Sequence, residues 1–554
     1  MEVRPVSAER AAPPDRGYAW ALLAIALALL LFRLGAKDVW EASEGRPLES
    51  AREMRAHGDW LVQYTNGAVD LTKPPLYAWC AGALFGLTGV ENELVGRLPS
   101  VLAALGVLGA VYVLGRRIAG PRAGFFAGVA LLTTAKFAWQ ARLAELETLL
   151  ALGVTWAYVF FDDALEARTP RARWAAFTAY HGALGFACAV KGPIALLLVI
   201  PGAWAYAIAT HRFRRLRCVA YPATAIVTLA LGLAWALAVV RRDPASLDTF
   251  LSFARGDNVG HLHDPFYYLA QYPLYALPWT PLALWGLRLR WALDLPPEAA
   301  RRGRLPVAAF VTTFLAQSAL HAKQTHYLVP VVFPMGALLA GLVLDRWLAR
   351  REPRATFGAV LRAGAPALAI AIGIDAWLRA PEAPAALAGT AAALCALAVA
   401  VAFVLRRSGR SWTAAARVEA ALLLVLALEA LALGWVVPAL NPAQSSRAFL
   451  ARVAAKVPAG EPLGWTIFAS HSDYLWYLPM SLVGTGGIPE LVGPSEAETS
   501  ARVRAHLAGG GRRFALVTAD QASGLGDVAV SVEREDAFQR KGRRVVLLRS
   551  ADPR

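Results

Sequence analysis

The stretch DVWEASEGRPLESAREMRAHGDWLVQYTNGAVDLTKPPLY, residues 38–77, is the part of the sequence that decides the fold. It places acidic, basic and aromatic residues between two apolar runs, residues 18–34 and 98–114. Each run has the length that a helix needs to cross the hydrocarbon core of a bilayer. A polar loop that is tied to a membrane at both ends has no structural need for so many ionisable groups. We therefore expect chemistry in this loop.

The composition indicates an integral membrane protein. The chain has 554 residues, of which 57% are hydrophobic and 17% are charged, and this is too apolar for one soluble domain. The net charge is +16, but the basic residues form short clusters between apolar runs, which is typical of cytoplasmic loops and not of nucleic-acid binding. The four cysteines show no CxxC or histidine pairing, so neither a disulfide framework nor a structural zinc site is predicted.

The apolar runs predict a multi-pass α-helical protein with thirteen transmembrane helices. With a cytoplasmic N-terminus, every inner loop is rich in arginine, whereas the outer connections carry carboxylates, histidines and isolated cations. Thirteen crossings place the two termini on opposite sides of the inner membrane. The predicted crossings are 17–36, 97–115, 121–137, 147–162, 174–189, 192–210, 218–240, 266–287, 305–320, 325–345, 358–378, 384–405 and 416–437.

The composition changes after residue 437. Residues 438–554 contain alternating apolar patterns such as RRFALVTAD and RRVVLLRS, separated by glycine-rich turns. Pro438 and Pro442 end the last apolar helix. We expect a transmembrane domain over residues 1–437, with a first outer loop at 38–97, and a small α/β domain over 438–554 on the outer, periplasmic side.

Three residues of the first outer loop, Glu44, Arg46 and Lys73, are candidates for a site. Glu44 and Arg46 follow the first crossing closely and are expected to face a cavity at the outer leaflet. Lys73 precedes two rigid prolines, and its ammonium suits a lipid-linked phosphate at headgroup depth. The alternatives are a snorkelling interfacial lysine at Lys73 and, for residues 49–53, a charge-paired amphipathic helix on the membrane surface.

Further ionisable residues lie in the other outer connections. Glu145 and Glu147 stand at the start of the fourth crossing, where capping alone explains one of them. Polar groups at a membrane edge are costly unless they meet water, a headgroup or a ligand. Acids in two outer loops therefore predict a site built between the loops. The cationic and phenolic candidates from later connections are Lys191, which alternatively belongs to a tight turn, and Lys323, His326 and Tyr327.

The segment HLHD, residues 261–264, resembles a metal cluster. Two histidines and one aspartate without further ligands are a weak signal. No cofactor is predicted, and a divalent metal remains an alternative at this segment.

Taken together, these residues resemble the lipid-dependent C-type (GT-C) glycosyltransferases, above all bacterial enzymes related to the aminoarabinose transferase of lipid A and, more distantly, protein O-mannosyltransferases. The resemblance covers about residues 18–345. It implies a GT-C fold and transfer of a pentose or hexose from an undecaprenyl-phosphate donor to lipid A, a glycan or a protein at the outer face of the inner membrane. The segments that carry it are ESAREMRAHGDWLVQYTNG, TKPPLYAW, VENELVGRLPSVLAAL, ARLAELETLL, PFYYLAQYPLYALPW and KQTHYLVPVVFP.

The resemblance also implies roles for individual residues. Glu44 and Glu147 match the catalytic carboxylates. The donor-phosphate ligands that it implies are Arg46, Lys73, Lys191, Lys323, His326 and Tyr327.

One departure from the family concerns the first acid. The leading Asp-Glu pair of the family falls on Ser43-Glu44, and a serine hydroxyl is not ionised at neutral pH. We expect Glu44, or Glu41 after a small register change, to take the role, or else the chain has lost transferase activity. The alternative functions are therefore a catalytically impaired scaffold and a transporter or flippase for a lipid-linked sugar. A transporter predicts ionisable residues along several mid-membrane helices.

Overall fold

The computed structural model describes residues 15–255, 262–289, 295–349, 414–467, 473–525, 529–535 and 544–551. The predicted crossings at 358–378 and 384–405 lie outside these residues.

Residues 15–349 are mainly helical. The helices are, in chain order, α1 (Asp15–Leu31), α2 (Ala42–His57), α3 (Leu76–Thr88), α4 (Glu93–Ala119), α5 (Pro121–Leu132), α6 (Ala135–Gln140), α7 (Leu146–Glu166), α8 (Pro170–Lys191), α9 (Ile194–Ala209), α10 (Ala220–Arg242), α11 (Ser246–Arg255), α12 (Tyr267–Tyr275), α13 (Thr280–Gly286), α14 (Pro297–Arg302), α15 (Arg304–Ala319) and α16 (Val332–Ala349). A further helix covers Ala414–Leu431 and continues through a π-helical turn at Ala432–Val436.

The helices confirm the prediction of a helical membrane protein. Within the described ranges, five segments are long and apolar enough to cross a bilayer. They are Glu93–Ala119, Leu146–Glu166, Ala220–Arg242, Val332–Ala349 and Ala420–Ala439. Four shorter apolar helices accompany them, at Arg16–Leu31, Leu76–Thr88, Pro121–Leu132 and Ile194–Ala209. The total of thirteen crossings stays a prediction.

The bundle depends on close helix contacts. Gly341 of α16 packs directly on the backbone of α5, where a Cβ atom would lie 2.3 Å from the nitrogen of Ala127. Only glycine fits such an approach, and small residues at helix crossings are typical of membrane bundles. The two packed helices are largely buried, so this contact belongs to the centre of the membrane domain.

Some predicted crossings are interrupted where the sequence breaks the helical hydrogen bonds. The segment predicted at 266–287 forms two short helices, α12 and α13, because Pro278 and Pro281 lack an N–H group. The segment predicted at 121–137 ends as α5 at Leu132. There the hydroxyls of Thr133 and Thr134 donate to carbonyl oxygens one turn back, at 2.7 Å each.

The first outer loop is a folded unit. After α2, strands β1 (Gln63–Thr65) and β2 (Ala68–Asp70) form an antiparallel hairpin, and α3 leads into α4. Asn66 and Gly67 form the hairpin turn with φ values of +56° and +73°. Two consecutive positive φ angles are typical of a type I′ turn, in which asparagine followed by glycine is favoured. The sequence analysis did not predict the hairpin or α3.

An amphipathic helix on the membrane was expected to expose its charges, but the structure buries the glutamates of α2. Arg52 pairs with Glu49 at 2.7 Å, the expected i, i+3 spacing, but Glu49 and Glu53 are both fully buried. Arg52 also donates to the carbonyl oxygens of Leu475 and Leu478, and Glu53 accepts from two N–H groups of the hairpin turn. These charges therefore join α2 to the hairpin and to the C-terminal segment.

The C-terminal segment contains a mixed four-stranded sheet. Its strands, β3 (Leu463–Trp465), β4 (Phe514–Thr518), β5 (Ala529–Arg534) and β6 (Val545–Ser550), lie in the order β3-β4-β6-β5. Strands β3 and β4 are parallel and the other pairs are antiparallel. Alternate residues of β4 and β6 enter two apolar clusters, one with the helix Arg447–Lys456 and one with the helix Glu496–Ala508. Both faces of the sheet are thus covered.

The C-terminal segment packs on the first outer loop. The side-chain oxygen of Asn441 accepts from the backbone N–H of Asp38 and the indole N–H of Trp40, both at 3.0 Å. Asn66 exchanges two hydrogen bonds with the backbone of Ile488, at 2.7 and 2.9 Å. The first outer loop and the C-terminal segment therefore lie on the same side of the membrane. The domain boundary at residue 438 remains a prediction.

Candidate active site

Side chains from several predicted outer connections meet around Glu147. The Nζ atom of Lys191, at the end of α8, donates to Oε1 of Glu147 at 2.6 Å, and Nε2 of His326 lies 3.5 Å from the same oxygen. The ammonium of Lys191 also lies 4.5 Å from the ring centre of Tyr327. Lys73 is close enough to interact electrostatically with both Glu147 and Lys191. We call Lys73, Lys191, His326 and Tyr327 around Glu147 the cation cluster.

Lys73 differs from the other members of the cation cluster. It is exposed, and within the described ranges its ammonium makes no hydrogen bond or ion pair. Its backbone carbonyl accepts from the side chain of Gln63 at 2.6 Å, which holds the turn before the two prolines. Partial desolvation, followed by the positive charge of Lys191, lowers the pKa of Lys73. An anion beside Lys73 would relieve this repulsion.

The remaining phosphate candidates lie at different places. Arg46 is exposed on α2 and is near enough to contribute to the positive field at Lys73. Lys323 is buried, and its Nζ donates to the backbone carbonyls of His263, at 2.9 Å, and Leu320. Lys323 therefore ties the end of α15 to the segment before α12. A role for Lys323 at the phosphate stays a prediction.

Glu44 is a buried junction between three segments. Its Oε2 accepts from Nζ of Lys37 at 2.7 Å, and its Oε1 accepts from Nε of Arg97 at 2.7 Å and from the N–H of Ala144 at 3.3 Å. Burial acts to raise the pKa of Glu44, but the charges of Arg97 and Lys37 outweigh it and lower the pKa to about 2. A carboxylate held in this way is a poor proton acceptor. Its predicted catalytic role remains a prediction.

Two buried arginines, Arg97 beside Glu44 and Arg142, were not predicted from the sequence. Arg97, near the start of α4, also donates to the backbone carbonyls of Leu34 and Lys37 at 2.8 and 2.7 Å. Arg142 does the same for three carbonyls at the end of α1, at 2.6 to 3.0 Å. The available signal was a charged residue beside an apolar run, which is costly unless it has a partner.

Glu145, two residues before Glu147, has a different environment. Its Oε1 accepts from the hydroxyl of Ser43 at 2.8 Å, and its Oε2 accepts from the side-chain amide of Gln140. Glu145 is buried and makes no ion pair within the described part of the chain. It is the N-cap residue of α7, but its side chain makes no capping hydrogen bond. Capping therefore does not explain its carboxylate.

A narrow cleft lies beside these acids, and its free space in this structure is too small to hold a water molecule. Two indole rings, whose centres are 6.2 Å apart, form part of its wall, and the ammonium of Lys37 lies 4.6 Å from one of them. The cleft therefore combines carboxylates with apolar ring faces, and a ligand enters it only when its walls move apart. The lining residues are Lys37, Trp40, Glu41, Glu44, Trp139, Leu143 and Glu145.

The alternative metal segment is only partly within the described residues. His261 lies outside them. The ring of His263 stacks on Tyr267 with a centre-to-centre distance of 4.2 Å. Across the described ranges, no three His, Cys, Asp or Glu side chains gather as metal ligands.

Comparisons with known proteins identify the fold. A family profile described as dolichyl-phosphate-mannose-protein mannosyltransferase matches residues 72–239. The crystal structure of ArnT from Cupriavidus metallidurans bound to undecaprenyl phosphate superposes with a TM-score of 0.78 at 22% identity, covering 98% of this chain and 100% of that one. Two curated relatives are named undecaprenyl phosphate-alpha-4-amino-4-deoxy-L-arabinose arabinosyl transferases. The Pseudomonas fluorescens protein is 30% identical over 357 residues, and the Pseudomonas paraeruginosa protein is 31% identical over 374 residues.

The chain has the fold of that ArnT structure, the GT-C fold, and is similar in sequence to aminoarabinose transferases. The resemblance stated from the sequence is thereby confirmed. The two alignments cover 60% and 64% of this chain and 59% and 65% of the relatives' own length. The structural match extends over nearly the whole chain, so it includes the C-terminal sheet as well as the helices.

Proposed function

We propose that this protein is a membrane glycosyltransferase that moves a sugar from undecaprenyl phosphate to a cell-envelope acceptor. Aminoarabinose and lipid A are the leading sugar and acceptor, because of the names of the relatives and the resemblance of the motifs. The related Cupriavidus structure holds undecaprenyl phosphate. Membrane lipids are the further partners that this function requires.

The cation cluster is the observation that carries the proposal. Lys73 and Lys191 supply two positive charges against the single negative charge of Glu147. Lys73 is an exposed residue, and its ammonium makes no hydrogen bond or ion pair within the described ranges. An excess of positive charge at the membrane edge, with one donor group available, suits the phosphate of a polyprenyl lipid.

The same cluster accounts for how the sugar is released. An acceptor oxygen attacks the anomeric carbon, the bond from that carbon to the phosphate oxygen breaks, and its electron pair stays on the phosphate. Cations placed beside this oxygen stabilise the charge that develops in the transition state. Proton transfer to the leaving group is not needed, because the departing group is already a phosphate.

The orientation is also part of the proposal. α7 has 21 residues, a length of about 31 Å, so its ends lie as far apart as the two surfaces of the hydrocarbon core. Glu147 lies at one end, and Glu166 at the other end pairs with Arg212 and Arg301 at 2.6 and 2.8 Å. The arginine-rich end is cytoplasmic by the positive-inside rule. We therefore infer a cytoplasmic N-terminus, thirteen crossings and a periplasmic domain over 438–554.

Binding of undecaprenyl phosphate tests the phosphate site. In lipid nanodiscs, Lys73→Gln is expected to weaken binding roughly tenfold to a hundredfold, because a charge-assisted hydrogen bond contributes about 1.5–3 kcal/mol. Lys456→Gln is the matched control, since Lys456 is an exposed lysine of the C-terminal segment that pairs with Glu533. Equal binding by wild type and both variants would contradict the phosphate site. Absence of binding by folded wild type would contradict the proposed donor.

A further inference from the structure

Ser43 occupies the position at which the family resemblance places an aspartate, and the structure shows what lies opposite it. The Ser43 hydroxyl donates to Oε1 of Glu145 at 2.8 Å. The two residues come from different outer connections, 102 positions apart in the chain. Position 43 lacks a carboxylate, but the carboxylate of Glu145 lies one hydrogen bond away from it.

Three buried glutamates surround this place, and their partners distinguish them. Glu44 is bound by Lys37 and Arg97, and Glu147 is bound by Lys191. Glu145 accepts only from neutral donors, the hydroxyl of Ser43 and an amide. Cations that contact a carboxylate stabilise its ionised form and make proton uptake costly, whereas neutral donors do so much less. Among the three, Glu145 is the acid best able to accept a proton.

The electrostatic surroundings of Glu145 agree with this geometry. Burial, followed by the negative charge of Glu147, raises the pKa of Glu145 above the ordinary range of a carboxyl group. The positive charge of Lys136 and the hydrogen bond from Ser43 act in the opposite direction, and the negative charge of Glu41 adds a smaller upward shift. A proton acceptor works best when its pKa lies near the working pH. Beside it, the amide oxygen of Gln140 is buried and has no hydrogen-bond partner within the described ranges. A ligand hydroxyl would satisfy that oxygen.

We propose that Glu145 is the general base that activates the acceptor and that Ser43 positions its carboxylate. Glu145 lines the narrow cleft, so an acceptor that moves the cleft walls apart would place its oxygen beside the carboxylate. The acceptor oxygen forms a bond to the anomeric carbon, the bond to the phosphate oxygen breaks with its electron pair, and the acceptor proton moves to the Glu145 carboxylate. The products are the glycosylated acceptor, undecaprenyl phosphate and protonated Glu145, which returns its proton to water.

This inference rests on the proposed function and deepens it. It assigns to the second outer connection a group that the family resemblance assigns to the first. It also makes the scaffold alternative unnecessary, because the serine at position 43 does not remove the carboxylate from the site.

Moving the carboxylate from position 145 to position 43 tests the inference. Purified protein in nanodiscs receives undecaprenyl-phosphate aminoarabinose and lipid A, and the release of undecaprenyl phosphate is measured at saturating donor. We expect Glu145→Gln to lower kcat by about 10²- to 10⁴-fold. The double variant Ser43→Asp, Glu145→Gln is expected to recover part of this loss. Glu91→Gln, at an exposed glutamate of the first outer loop, is the charge-removal control and is expected to keep wild-type kcat.

The pH dependence of kcat distinguishes a general-base role of Glu145 from a structural role. The wild-type kcat is expected to fall as the pH is lowered through the raised pKa of Glu145, because the ionised carboxylate is the active form. In the double variant the carboxylate is at the more exposed position 43, so the acid limb is expected to move to lower pH. The acceptor is the same in both assays, so its own titration does not produce this movement. Binding of undecaprenyl phosphate reports that each variant is folded.

The possible results distinguish this inference from the proposed function. Activity of Glu145→Gln within threefold of wild type overturns the inference and leaves the transferase standing. Loss of activity without recovery in the double variant, or recovery with an unmoved acid limb, overturns the role of a base. Folded wild type that releases no undecaprenyl phosphate overturns the proposed function and this inference together.

Discussion

Glu44 joins α2 to α4 and to the second outer connection through two buried cations. Lys37 and Arg97 each contact one of its oxygens at 2.7 Å, and the side chains of Glu44 and Arg97 are at most 1% exposed. Removing one member of a buried ion pair leaves an uncompensated charge away from water, which typically costs about 3–5 kcal/mol. The geometry thus assigns Glu44 to the stability of the site.

We predict that Glu44→Gln lowers the free energy of unfolding by about 3 kcal/mol or more at neutral pH. Tryptophan fluorescence during denaturant unfolding in detergent is a suitable measurement, because Trp40 and Trp139 line the adjacent cleft. Glu91→Gln is the control, since the exposed pair of Glu91 with Arg55 contributes about 0–1 kcal/mol. Equal stability of the two variants would contradict the assignment.

A second prediction concerns how the difference in unfolding free energy between wild type and Glu44→Gln changes with pH. The pKa of Glu44 is lowered to about 2 from its ordinary value of 4.5. A carboxyl group with a lowered pKa stabilises the folded state above its unfolded pKa, and this contribution is lost as the pH falls toward the folded value. The stability difference between wild type and Glu44→Gln should be constant above about pH 4.5 and shrink toward pH 2. A difference that grows on acidification would contradict the ion-pair account.

At the residue scale, the sequence could predict which groups are ionisable at the membrane edge, but not how they pair. Glu44 and Arg97 are 53 positions apart, and Ser43 and Glu145 are 102 apart. Periodicity and spacing describe residues within one element, whereas these contacts depend on how loops from different crossings meet. The sequence therefore pointed to Glu44 as the proton acceptor without showing that cations hold it.

At the element scale, the hairpin of the first outer loop depends on a close backbone contact. Gly67 has a φ of +73°, and a Cβ atom there would lie 2.4 Å from the carbonyl carbon of Gly486. Gly58, at the end of α2, has a similar φ of +68°, but a Cβ atom there would meet nothing within 4 Å. The two glycines share the backbone conformation and differ only in the contact with the C-terminal segment.

We predict that Gly67→Ala opens this contact and that Gly58→Ala does not. Both variants incur the strain of alanine at positive φ, about 1–2 kcal/mol, but only Gly67→Ala adds a steric clash. Amide hydrogen exchange in residues 484–490 should accelerate about tenfold more in Gly67→Ala than in Gly58→Ala. The same exchange rate in both variants would show that the hairpin does not fix the C-terminal segment.

Hydropathy predicted where most of the bundle helices lie, because burial in lipid requires long apolar runs. Hydropathy did not predict the helices that a proline interrupts or that are shorter than a bilayer crossing. Pro278 splits the run at 266–287. α3 was missed because its 13 residues are shorter than a bilayer crossing. Arg52 of α2 bonds to a C-terminal segment more than 400 residues away in the sequence, and Glu53 binds the hairpin turn. Amphipathic spacing therefore did not reveal the burial of this part of α2.

At the scale of the whole molecule, the outer connections and the C-terminal segment form one face. We predict that Glu91→Cys and Glu496→Cys, in a cysteine-free background, react with an impermeant maleimide in intact spheroplasts. Arg214→Cys should react only after permeabilisation, because it lies in an arginine-rich connection expected on the cytoplasmic side. All three positions are exposed in the protein. Joint labelling of positions 496 and 214, without position 91, would contradict the proposed orientation.

Transfer of the sugar is the most direct test of the proposed function. Purified protein in nanodiscs would receive undecaprenyl phosphate carrying radiolabelled aminoarabinose, together with lipid A, and both products would be quantified. The cation cluster around Glu147 predicts labelled lipid A and free undecaprenyl phosphate in equal amounts, with strong loss of both in Lys73→Gln. Folded protein that binds undecaprenyl phosphate but yields neither product would contradict the glycosyltransferase account.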